Sequence, residues 1–151
     1  MGLFQQIKRK VHDWMRPTRA PLPEKRYRVV NLTRSTVLAE FLEVANTSRT
    51  RRKGLLGRLL LSSGEGLWII PCESVHTLFM RFSIDLVYLD CKRRIRKLRS
   101  NVVPWRLSAC ISAHSVLELP SGTIRVSHTE IGDLLELAPA IMSPVDPKHG
   151  S

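Results

Sequence analysis

Seven short runs rich in aliphatic and β-branched residues constrain this chain more than any other feature. They are YRVVNL, TVLAEFLEVA, GLWIIP, IDLVYLD, RIRKLRSNVV, HSVLELP and DLLELAP. Each reads as a strand, and IDLVYLD alternates as a strand should. The first two are joined around Thr33–Ser35, and RIRKLRSNVV returns as the hairpin partner of IDLVYLD around Cys91–Lys92. Between the second and third runs stands a helical signal, NTSRTRRKGLLGRLLL. Thr47 or Ser48 can cap it, and Leu55, Leu56, Leu59 and Leu60 then form one apolar stripe against the sheet, leaving Arg52 and Lys53 wet. Gly54 and Gly57 are costly inside a helix, so a close packing contact is the expected reason for them.

Ahead of these runs, Leu3, Phe4, Ile7, Val11, Trp14 and Met15 recur at three- and four-residue steps, with Lys8, Arg9, Lys10 and His12 on the other face. This predicts an amphipathic helix over 3–15. The stretch RPTRAPLPEK, with three prolines, predicts an extended linker. The expected organisation is a basic helix and linker over 1–26, one globular domain over 27–140 and a flexible tail over 141–151. At 151 residues the chain is long enough to bury a core without disulfides.

The formal net charge is +11, which favours an anionic partner without choosing among nucleic acid, lipid and acidic protein. The first thirty residues hold eight Lys/Arg against two acids, whereas residues 107–151 hold two against five. Cys72, Cys91 and Cys110 are odd in number and lack paired spacing, which argues against a disulfide framework or structural zinc. The N-terminus has no secretory pattern, no apolar run could span a bilayer, and MGLFQQ places Gln6 where myristoylation wants Ser or Thr. The chain is therefore expected in the cytoplasm, with peripheral membrane contact as an extension of that reading.

Six motifs follow in order from Arg51 to Leu137: RRKGLLGR, GLWIIP, VHTLFMRFSIDLVYLD, VVPW, VLELPSG and IGDLLEL. In this series the chain resembles the family catalogued as domain of unknown function 192, widespread in bacteria and archaea. The resemblance implies a mainly β fold (α+β by some counts), a compact antiparallel and barrel-like sheet with one prominent packed helix near 48–60. It implies no settled activity. The family's recurrent polar positions fall on Arg51, Arg58, His76, Thr77, Met80, Arg81, Asp85, Asp90, Glu118 and Asp133. The chain departs from the pattern at three places. Phe79 stands where Gly is usual before Met-Arg, Ser83 replaces a Pro, and Lys92–Arg93 replaces an Asp-Gly turn.

The stretch VHTLFMRFSID carries the most chemistry. His76 with a nearby carboxylate could do acid–base work near neutral pH. The structural alternative has Asp85 opening a strand and accepting from Arg58 or Arg81, because a buried carboxylate needs a partner. The structural alternative is favoured, since no nucleophile, GxSxG or catalytic Cys signature accompanies the cluster. Cys72, His76 and Met80 fall at steps of four, which on a helix would suit Cu(I), but Pro71 argues for a strand leaving into a loop. No metal or cofactor is expected. The run Lys92–Arg99 reads as a charged edge strand that blocks aggregation, with phosphate contact and stacking on Trp105 as the alternative. Glu118 and Asp133 read as turn and strand-start groups.

Two functions remain. One is a non-enzymatic binding module whose N-terminal helix meets an anionic surface or acidic partner through Lys8, Arg9, Lys10 and Trp14. The other is a small enzyme or ligand-binding protein with a pocket around Arg58, His76, Met80, Arg81, Asp85 and Glu118. Nucleic acid is disfavoured for want of a recognition motif.

Overall fold

The structure, a computed structural model, describes residues 26–140. The amphipathic helix expected over 3–15, with Lys8, Arg9, Lys10 and Trp14, the linker after it, and the tail over 141–151 lie outside the described residues. The elements in chain order are β1 (Tyr27–Asn31), β2 (Thr36–Ala45), α1 (Ser48–Lys53), β3 (Glu65–Ile69), β4 (Ser74–His76), β5 (Ile84–Leu89), β6 (Ile95–Val102), β7 (Leu107–Ala109), β8 (Ser115–Pro120), α2 (Thr123–Val126) and β9 (Leu135–Pro139). The fold is mainly β, as expected, and every apolar run supplies a strand. Seven strands form one sheet in the order β6-β5-β8-β3-β2-β1-β9, and β4 pairs with β7 separately. All pairs are antiparallel except β2–β3, which α1 and the following loop connect in parallel.

The sheet curls until its ends meet. Arg94 just before β6 bridges Leu134 before β9, and the Ile95 N–H donates to the Asp133 carbonyl at 3.0 Å. Alternation then makes two cores. Val29, Leu42, Val87, Leu89, Leu117, Leu119, Leu135 and Leu137 share a cluster drawn from both ends of the sheet, which is the concave interior. Ala45, Leu67, Ile69, Ile84, Leu86, Tyr88 and Val116 face the other way and are covered by Leu55, Leu61 and Met80. Strand β5, between β6 and β8, is consequently buried at every residue. Gly66 marks the tightest approach: a Cβ there would lie 2.8 Å from Leu42 and Leu119 side-chain atoms and 3.1 Å from the Glu118 carbonyl.

The helix is shorter than its sequence suggests. Thr47 caps it, accepting from the Thr50 N–H at 3.2 Å while the Thr47 N–H donates to the Thr50 hydroxyl at 3.0 Å. Gly54 (φ +47°) and Gly57 (φ +84°) then take positive φ, so Gly54 stops the helix after Lys53 and neither glycine packs within it. The expected leucine stripe is broken accordingly. Leu55 is buried and Leu56 half-buried, but Leu59 and Leu60 are exposed, and Leu61 takes the second core position. Arg52 and Lys53 are exposed as expected.

The β5–β6 hairpin forms without an Asp-Gly turn. The Asp90 carboxylate accepts from the Lys92 and Arg94 N–H groups at 2.9 and 3.0 Å, and Arg93 adopts φ +64°. The basic strand β6 does lie at a sheet edge, with Arg96 and Arg99 exposed.

Candidate functional site

Glu118 is the fourth residue of β8, and alternation puts it on the same face as Val116, beneath the end of α1. This is mid-strand, so the turn role read from VLELPSG is corrected. Its side chain is 3% exposed, and Oε2 has no hydrogen-bond partner among the described residues. Burial pushes its carboxyl up to about 7 against the opposing attraction of Arg58.

Above Glu118 opens a cleft of about 530 Å³ between the α1 end and β4. Arg51, Arg52 and Lys53 form one rim, placed by the last turn of α1. Glu73, Ser74 and His76 form the other, while Leu55, Ile69 and Met80 supply apolar wall. Cys72 also borders it, its thiol donating to the Ser74 carbonyl at 3.1 Å. Burial pushes that thiol above its ordinary range, which disfavours the thiolate that metal binding or nucleophilic attack would need. Cys72, His76 and Met80 thus share a border, but from a loop, a strand and a turn rather than one helix face. Among the described residues no three His, Cys, Asp or Glu side chains gather as a metal site.

Of the six pocket candidates, the structure brings His76, Met80 and Glu118 to this cleft. Arg58 borders a neighbouring hollow, where it donates to Glu43 at 2.6 Å. Arg81 is exposed elsewhere. Asp85 is fully buried on β5, and neither arginine is among its hydrogen-bond partners. It accepts instead from three backbone N–H groups: Asn101 at 2.8 Å, Gly122 at 3.1 Å and Ile124 at 2.9 Å. Backbone donors satisfy a buried carboxylate as a guanidinium would, without burying a second charge.

Asp133 is likewise scaffold. It accepts from Asn31 at 2.8 Å, from the Glu130 N–H at 2.9 Å and from Arg34 at 3.2 Å. Burial alone would raise its carboxyl, but these three partners outweigh burial and hold it below the usual range. Residues missed by sequence reasoning are Arg52, Lys53 and Glu73; the basic run Arg49–Lys53 was the only signal for the first two, and Glu73 had none.

No helix among the described residues is long and apolar enough to cross a membrane. The family profile described as Uncharacterized ACR, domain of unknown function 192, matches residues 29–137. A UPF0127 protein of Thermococcus sibiricus is 32% identical over 130 residues, covering 78% of this chain and 82% of the relative. A crystal structure of a protein of unknown function from Novosphingobium aromaticivorans DSM 12444 superposes with a TM-score of 0.64 at 24% identity, covering 74% of this chain and 83% of that one. A second, from Sinorhizobium meliloti 1021 and provisionally described as a transcription regulator, gives 0.66 at 22% identity, covering 75% and 92%. At these identities the two structures speak for the fold alone. With a family match over most of its length, the chain belongs to the domain of unknown function 192 family.

Proposed function

We propose that the chain is a small-ligand-binding protein, and that its ligand is a small organic anion bearing a hydroxyl or amino group. The observation that carries this reading is Glu118, buried at the cleft with an unpartnered oxygen. A carboxyl so placed is costly unless something hydrogen-bonds to it, and an apolar residue would serve packing better. With a pKa of about 7, it can donate when neutral or accept when ionised, which suits a hydroxyl or an amine. The Arg51, Arg52 and Lys53 rim supplies the charge for a carboxylate or phosphate at the ligand's other end.

Glu118→Leu and Glu118→Gln test the reading, using native mass spectrometry and thermal shift against a panel of hydroxy acids, amino acids and sugar phosphates. The expected result is stabilisation of the parent by one such class, with binding lost at least tenfold in both variants. Glu118→Leu should melt at or above the parent in the absence of ligand. If no anion on the panel stabilises the parent, or if Glu118→Leu unfolds the protein, Glu118 is not a ligand group.

A further inference from the structure

Two large aromatic side chains stand in water on strained backbone. Phe79 is 69% exposed and Trp105 is 56% exposed, and their rings meet edge to face with centroids 4.7 Å apart. Both take the left-handed conformation, at φ +62° and +63°, which bulky residues adopt only when their surroundings compel it. Here the compelling residue is Thr77, buried between the two loops. Its carbonyl accepts from the Met80 and Trp105 N–H groups at 3.2 and 3.0 Å, and its N–H donates to the Arg106 carbonyl at 2.9 Å. Its hydroxyl donates to the Val103 carbonyl at 2.8 Å and accepts from the Arg106 N–H at 2.9 Å. The fold fixes this pair outward while gaining little burial from it. Phe79 also fills a left-handed position where glycine would be free of strain.

The surroundings point to one occupant. Leu107 follows Trp105 by two residues, stands opposite His76 in the two-stranded β4–β7 sheet and is exposed; Ile111, beyond the far end of β7, is 91% exposed. Arg81 and Arg106, next to the aromatic pair in sequence, are exposed too. Aromatic rings and bare aliphatic side chains flanked by arginines match the boundary layer of an anionic bilayer, where rings sit at headgroup depth and cations meet phosphate. A single-stranded nucleic acid would stack on an open ring face, which the edge-to-face contact partly uses, and would gain nothing from Leu107 and Ile111. We propose that the Phe79–Trp105 ridge docks this domain on an anionic phospholipid surface. His76 borders the ligand cleft and pairs with Leu107 across the β4–β7 sheet, so docking would turn the cleft's β4 rim toward the membrane.

The test uses the full chain and the double variant Phe79→Gly/Trp105→Asn, whose replacements tolerate left-handed backbone and should leave the melting temperature at or above the parent's. Co-sedimentation with phosphatidylcholine vesicles containing about one third phosphatidylserine should recover the parent, and the double variant at least tenfold less. Pure phosphatidylcholine vesicles should recover neither. Equal recovery of parent and variant, failure of the parent to sediment, or tighter binding of the parent to an oligouridylate than to the vesicles would each overturn the proposal. Ligand binding in the cleft is measured separately, so loss of one activity does not imply loss of the other.

Discussion

Glu118 and Asp85 are both buried carboxyls on the sheet, yet they have opposite consequences. Glu118 keeps its proton in the folded protein up to about pH 7, against an ordinary value of 4.5. Between those values the folded state binds the proton and the unfolded state releases it, so stability falls as pH rises through this window and levels above it. The change is on the order of 3 kcal/mol for a group so completely buried. Urea unfolding of the parent and Glu118→Gln at pH 4.5 and pH 8 should therefore diverge, the variant gaining relative to the parent at the higher pH; parallel behaviour would contradict the burial of a titrating carboxyl.

Asp85 gives a stability prediction of the other kind. An amide has one acceptor oxygen, so Asp85→Asn must face at least one of the Asn101, Gly122 and Ile124 N–H groups with a donor. A loss of about 2–3 kcal/mol is expected in denaturant melts, and a change under about 0.5 kcal/mol would mean the backbone contacts carry little. That Asp85 is buried and needs partners is legible from its neighbours Ile84 and Leu86. The identity of those partners is not, because Asn101 and Gly122 lie 16 and 37 residues away and nothing in their side chains advertises a backbone donor.

The strands were legible because their signal is local: period, branching and turn residues all sit within each run. The short β4 and β7 and the four-residue α2 lacked enough residues to show a period, and they emerge only because partners elsewhere hold them. In GLLGR, leucine spacing and glycine conformation pull in opposite directions, and the glycines prevail. This gives a mutational contrast. Leu55→Ala removes a buried side chain and should cost about 2–5 kcal/mol, whereas Leu59→Ala and Leu60→Ala should each fall within about 0.5 kcal/mol. Comparable losses at all three would restore a longer packed helix.

The whole molecule joins what the sequence keeps apart. Its cleft takes its floor from β8, one rim from α1 and the other from β4, so no contiguous motif encloses it. His76 and Glu118 could be named from their motifs, but their sharing a site depends on β8 lying between β5 and β3 in the sheet order. The Arg51–Lys53 rim was visible as charge without being visible as a site, because a charge run on a short helix reads equally well as solvated surface.

The placement of β9 bears on how the chain is made. The last strand among the described residues lies at the sheet edge beside the first, pairing with Tyr27–Asn31 over its whole length. A nascent chain therefore emerges with β1 unable to complete its hydrogen bonds until Leu135–Pro139 has left the ribosome. Until then Val29 and Leu42 border an open concave face that lacks Leu135 and Leu137. Such sequence-distant closure makes folding slow and late, with a sticky edge exposed during synthesis.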